Sequence, residues 1–156
     1  MTAAKSSGAA LARLVASVPA SIDADTVRSR IGAYYASYPT DDSSGREALF
    51  ADPCRFEDPA GIVMATDRDS LHRFFHEVIP ADWHFTFRLE RVAVVGNEAL
   101  STATMRLRVG DRPPVDVLVN AHFQFTEAGL IRSVRTFFDE QSIRDAADMS
   151  ADTGRF

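Results

Sequence analysis

The segment Phe56-Glu57-Asp58-Pro59-Ala60-Gly61 holds the residue with the clearest chemical potential in the chain. Strand-like alternation through Cys54, Arg55, Phe56, Glu57 and Asp58 puts Cys54, Phe56 and Asp58 on one side. A carboxylate sharing a face with two apolar side chains is costly unless it is paired or used. Asp58 therefore reads either as an Asx-type turn residue closing the strand ahead of proline or as a base in apolar surroundings. Burial would raise its pKa toward a useful base strength. Tyr34 is the second candidate, on the apolar stripe of a helix. It is either core with a locally satisfied hydroxyl or a hydrogen-bond donor aimed into a cavity.

Other chemistry is poorly supported. His72 and His76 stand at i, i+4, a spacing that can chelate a metal on a helix. They lack the glutamate of H-E-x-x-H and fall beside the apolar stripe, so they read as solvated or rim histidines, and no metal site is assigned. His84 and His122 fall on the polar faces of strands, as do Arg106 and Arg108. There is no phosphate-binding glycine loop and no G-x-S-x-G elbow. A single cysteine, Cys54, excludes an intramolecular disulfide and a Cys-rich zinc site and fits a reducing, cytoplasmic setting.

Composition narrows the class. A chain of 156 residues is about one domain and can bury a full core without staples. Its formal charge of -5 gives no reason to expect binding to nucleic acid or an anionic membrane. No apolar run approaches the ~20 residues of a membrane span. Eleven Phe, three Tyr and one Trp are enough to line a cavity as well as fill a core.

The elements that must position these residues follow from periodicity. Residues 1–22 read as an N-terminal extension. Lys5 ahead of an Ala-rich run hints at a secretory leader, but Arg13 interrupts it, leaving a short amphipathic helix or mobile segment. A helix runs from an Asp23 or Asp25 cap to about Tyr38, with Val27, Ile31, Tyr34, Tyr35 and Tyr38 on one face. A short helix spans about 45–51. Cys54 to Asp58 is a short strand. A third helix is capped by Thr66, buries Leu71, Phe74, Phe75, Val78 and Ile79, and stops at Pro80. From Trp83 the period becomes two, with strands beginning near Trp83, Ser101, Val115 and Leu130 and turns at Gly96, Gly110 and Gly129. The fold class is α+β: helices first, then an antiparallel meander. The domain spans 23–143 and a polar, frayed tail occupies 144–156.

The chain resembles the ketosteroid isomerase-like branch of the nuclear transport factor two superfamily, which includes the SnoaL-like polyketide cyclases. Leu49-Phe50-Ala51-Asp52-Pro53, the Phe56 to Gly61 segment, Leu71 to Phe75, His122 to Ile131 and Phe137-Phe138 carry the resemblance. It implies a cone-shaped curved antiparallel sheet wrapped around three helices, with a deep apolar pocket. It also implies Asp58 as base and Tyr34 as oxyanion donor, at the family's separation in sequence. A third family residue, a protonated aspartate, falls on Ala121, and a supporting tyrosine falls on Phe75. The implied wall is Phe50, Phe75, Trp83, Phe85, Val117, Val119, Ala121, Phe123, Thr136 and Phe138.

The expected activity is therefore cofactor-independent proton transfer on a hydrophobic, polycyclic ketone. The alternatives are a non-catalytic protein binding a small hydrophobic molecule, and a polyketide cyclase. Epoxide hydrolysis in this fold needs a buried Asp-Arg-Asp set, whereas Arg106, Arg108 and Asp116 alternate outward. That outward face, with Arg88, Asn120, His122 and Gln124, is the expected homodimer contact.

Overall fold

The computed structural model describes residues 6–39 and 41–145. Helix α1 (Ser7–Ala16) is capped by Ser6 and buries none of its residues. Helix α2 (Ala24–Ala36) starts at Asp23, whose Oδ1 accepts the Thr26 N–H at 2.8 Å. Then come α3 (Ser44–Glu47), strands β1 (Phe50–Glu57) and β2 (Val63–Ala65), and α4 (Arg68–Arg73), which continues as a π-helical turn over Phe74–Val78. Strands β3 (Trp83–Val95), β4 (Glu98–Val109), β5 (Val115–Phe125) and β6 (Ile131–Phe137) complete the sheet, and a short helix runs over 140–145. The tail read from sequence lies, beyond residue 145, outside the described residues.

The six strands form one curled, mostly antiparallel sheet in the order β2-β1-β6-β5-β4-β3. The expected meander is β3 to β6. Several features depart from the sequence reading. The helix expected over 45–51 ends at Glu47, and Phe50 already begins β1. Val78, expected to be buried, is 54% exposed. β1 returns to pair with β6 in parallel, and the three-residue β2 adds an edge to β1. The cap of α4 is Asp67, not Thr66, with Ser70 completing a reciprocal capping box. A bulge between Leu89 and Arg91 helps bend the long β3–β4 ribbon.

Period-two alternation sets the faces as read. Val117, Val119, Ala121, Phe123 and Phe125 are buried, whereas Asp116, Leu118 and Asn120 are exposed. Along β4 the inward residues change from small to large. Ala99, Ser101 and Ala103 leave room for α2, which buries Val27, Ile31, Tyr34 and Tyr35 there. Beyond them, Met105 and Leu107 face space that α2 does not fill. The core divides accordingly: one large cluster beneath α2, and a small one of Val117 and Val119 with Met105, Val115 and Phe138. The cavity opens over the second.

The N-terminal extension is tied to the β3–β4 turn. The Ser21 N–H donates to Asn97 Oδ1 at 2.9 Å. Gly96 adopts φ +59, and a Cβ there would stand 2.9 Å from the Pro19 carbonyl oxygen. Conformation and close approach both select glycine at this position.

Candidate active site

A cavity of about 540 Å³ lies between α2, the π-helical turn and the inner face of the sheet. Asp58 is the sole carboxylate among its lining residues, and neither arginine nor histidine joins it there. Thr136, the α2 tyrosines Tyr34 and Tyr35, and Tyr38 just past the helix end supply the other side-chain oxygens. The remaining lining is apolar, from Phe74 and Val78 through Trp83, Phe85 and Phe87 to Met105 and Leu107. A second, more open depression of about 320 Å³ beside Leu118 and Asn120 contains no buried carboxylate.

Asp58 is held by the loop that leaves β1. Its N–H donates to the Ile62 carbonyl at 3.1 Å, and the Ala60 N–H donates to the Thr136 carbonyl at 2.7 Å. These bonds dock the loop on β6. From there the Thr136 hydroxyl donates to Asp58 Oδ1. Burial raises the Asp58 pKa, and the Thr136 hydrogen bond offsets part of that rise. The result is a carboxylate poorer in solvation than an ordinary aspartate and correspondingly more basic.

The tyrosines form two pairs. Tyr34 and Tyr38 share a hydroxyl–hydroxyl hydrogen bond of 2.7 Å, one helical turn apart. Tyr35 meets the buried Ser101 hydroxyl at 2.7 Å. Burial pushes the Tyr34 and Tyr38 hydroxyls well above their ordinary pKa and that of Tyr35 up to about 12, with the Asp58 charge adding to each rise. All three are thus neutral donors near neutral pH. The guanidinium of the buried Arg46 sits 3.7 Å over the Tyr38 ring and 4.5 Å over Phe75. It opposes the rise at Tyr38 and favours any negative charge that develops along the Tyr34–Tyr38 pair.

Of the wall expected from sequence, Trp83, Phe85, Val117, Val119, Thr136 and Phe138 line the cavity with Asp58 and Tyr34. Phe50, Phe75, Ala121 and Phe123 do not. The Tyr34 ring packs edge-on against Phe50 and Phe123, with centroids 6.1 and 5.5 Å away, and covers them. Phe75 is turned toward Arg46 and Tyr38. Ala121 lies beneath the same layer, its backbone partnered by Ser101 and Thr136 on the flanking strands. The residue that does hydrogen-bond the Tyr34 hydroxyl is Tyr38, not Phe75. Its spacing of four from Tyr34 was the available signal.

Glu57, the preceding residue, faces the other way. Its carboxylate is clamped between Arg55, at 2.8 Å, and Arg135, and these bonds hold its pKa down at about 2. Several charged groups of the outer sheet face are likewise paired, while Arg108 donates to the Gly110 carbonyl. Arg106 meets Asp116 at 2.7 Å and His122 meets Glu98 at 2.8 Å.

A family profile described as a SnoaL-like domain matches residues 31–134, two-thirds of the chain and most of the cone. The chain belongs to the SnoaL-like family. Solved structures agree on a ketosteroid isomerase-like fold. An LEH-like epoxide hydrolase from M. tuberculosis superposes with a TM-score of 0.68 at 16% identity, covering 78% of this chain and 89% of the other. SalBIII, an epoxide hydrolase/cyclase-like enzyme of pyran ring formation in the polyether salinomycin, gives 0.67 at 18% identity, covering 77% and 95%. A Catenulispora acidiphila protein of ketosteroid isomerase-like fold, solved with trimethylamine, gives 0.65 at 17%, covering 76% and 92%. At these identities the likeness concerns fold, and function rests on the site.

Proposed function

We propose that the chain is a cofactor-independent proton-transfer enzyme acting on a hydrophobic, polycyclic ketone. The observation that carries the reading is a lone, poorly solvated carboxylate in an apolar cavity that also holds a tyrosine donor pair. Asp58 takes a proton from the carbon next to the carbonyl, and the C–H electron pair moves onto the carbonyl oxygen as an enolate. Tyr34 donates its O–H to that oxygen and accepts the O–H of Tyr38. Asp58 then returns the proton at the far end of the dienolate, and the double bond moves into conjugation. The division into carboxylate base and oxyanion donor is that of ketosteroid isomerase. A cavity of about 540 Å³ lies within the range of small-molecule sites and suits a flat, apolar ligand.

The epoxide hydrolase chemistry of the first structural neighbour has little support, because no arginine lines the described cavity. One observation favours a second reading, as a cyclase or a ligand-binding protein. Ala121 offers no donor where the steroid isomerases carry an acid, so the oxyanion hole rests on Tyr34. A homodimer through the outer sheet face forms part of the proposal, supported by Leu100 and Leu118 standing exposed on it; mass measurement in solution tests it.

The test is isomerisation of a β,γ-unsaturated 3-ketosteroid, followed by absorbance of the conjugated enone, for the native chain and Asp58→Asn. Turnover by the native chain that is lost in the variant supports the proposal. A folded native chain that binds the steroid without turning it over overturns the isomerase reading and leaves the second one.

A further inference from the structure

His72 and His76 do not merely sit on the surface. Both aim a ring nitrogen at one carboxylate, that of Glu47 on α3, 25 residues before His72 in sequence. His72 Nδ1 and His76 Nε2 lie 3.1 and 3.3 Å from the same carboxylate oxygen, Glu47 Oε1. The donor atoms of all three residues fall within 4.8 Å of one another. Bonds of about 2.0–2.1 Å arranged tetrahedrally place neighbouring donor atoms about 3.3–3.4 Å apart. Two edges of such a tetrahedron are therefore already close to length.

The surroundings fit a site of this kind. Glu47 is nearly buried, and the ion pairs it forms among the described residues are with these two imidazoles. Arg46, the adjacent cation, is turned away toward Ser37 and Tyr38. The buried Ser43 hydroxyl donates to Glu47 Oε1 at 2.5 Å and lies 2.8 Å from His76 Nε2, so it can orient the carboxylate as an outer partner does in metal sites. The two imidazole ring centroids lie 4.1 Å apart, with the ring planes tilted by 36°. The helix changes from α to π at Phe74, between the two histidines, and Ile79 N–H bonds back to the Phe74 carbonyl at 3.2 Å. Inserted π turns of this type recur at functional sites. The histidine side chains are 59% and 38% exposed, which leaves an ion a path in and a free coordination position for water.

We propose that Glu47, His72 and His76 bind one divalent transition-metal ion of the Zn²⁺ class, at a site separate from the cavity. Two imidazoles and one carboxylate suit zinc and its neighbours rather than calcium or magnesium, which take oxygen ligands. None of the three residues lines the cavity, whereas Phe74 and Val78 of the same π turn do. The ion fastens α3 to α4 and so braces the back of the cavity wall.

The experiment titrates the full chain, free of any histidine tag, with Zn²⁺ by calorimetry and with Co²⁺ by visible absorption. The expected result is one equivalent bound, with the intense visible bands of tetrahedral Co²⁺. Thermal unfolding should show the folded-to-unfolded ratio rising about a hundredfold when free Zn²⁺ stands at a hundred times Kd. His72→Ala and His76→Ala, both at exposed positions, should each weaken binding by more than about a hundredfold, and Ser43→Ala by about tenfold or more. His84→Ala/His122→Ala should bind as the native chain does. Absence of binding by the native chain, or binding that survives His72→Ala/His76→Ala, overturns the proposal. Should Glu47→Gln fail to fold, the histidine variants still decide the matter.

Discussion

Glu57 and Asp58 are consecutive carboxylates with opposite fates. Glu57 faces two arginines, which hold its pKa near 2. Asp58 enters the apolar cavity, meets one hydroxyl and no cation, and its pKa is raised. One peptide unit separates a carboxylate spent on structure from one left available for proton transfer. The difference arises where β1 ends: Glu57, its last residue, meets Arg135 of β6, and Asp58, the first residue of the following loop, enters the cavity beneath the α2 tyrosines. Divergent environments for nearby titratable groups mark acid–base sites in general.

The largest expected effect lies at Asp58. Asp58→Asn keeps shape and removes the proposed base, and should lower kcat by about 10²–10⁴-fold, the usual worth of a positioned base. Glu57→Gln should leave kcat nearly intact in whatever fraction folds, which steady-state assays of both variants will compare. Tyr34→Phe comes next, with a loss of about 10²–10³-fold for one oxyanion donor. Tyr38→Phe removes only the bond behind it, and about tenfold or less is expected, the worth of one hydrogen bond.

Acid–base behaviour sharpens the contrast. kcat/KM should rise with pH through an apparent pKa above 3.8, the ordinary aspartate value, because the base must be ionised. Stability runs in opposite senses at the two residues. Asp58 has a raised folded pKa, so it binds more protons folded than unfolded, and its contribution falls as pH rises through that pKa. Asp58→Asn should therefore unfold at a higher temperature than the native chain at pH 7. Glu57 has a lowered folded pKa. Its contribution is present above pH 4.5 and is lost as pH falls toward 2, so Glu57→Gln should be less stable at pH 7 and flatter across that acid range. Thermal melts at stepped pH read both.

Much of this arrangement was legible in the sequence. Alternation put Asp58 on the side of Cys54 and Phe56, and the long strands kept the register their pattern implied. The helical stripe placed Tyr34 inward. What escaped depended on distant partners. Nothing local says that Arg135 closes on Glu57, or that β1 pairs in parallel with β6. Tyr38 was visible as an apolar position, but its hydroxyl bond depends on how α2 sits over Phe123. Phe50, Phe75, Ala121 and Phe123 carry the right residue types for a wall, yet the tyrosine layer screens them from the cavity. Glu47 gave no signal because its histidine partners lie on another helix. A three-residue strand such as β2 is too short for any period to register.

The contrast between the two carboxylates can be measured without knowing the substrate. Side-chain carboxyl ¹³C shifts of Asp58 and Glu57, followed across the acid and neutral range, give each pKa separately, with Asp58→Asn and Glu57→Gln assigning the signals. The account predicts Asp58 titrating above 3.8 and Glu57 near 2. Asp58 titrating at or below 3.8 would contradict it, since an ordinary, well-solvated carboxylate at that position would not be the base the cavity is argued to hold.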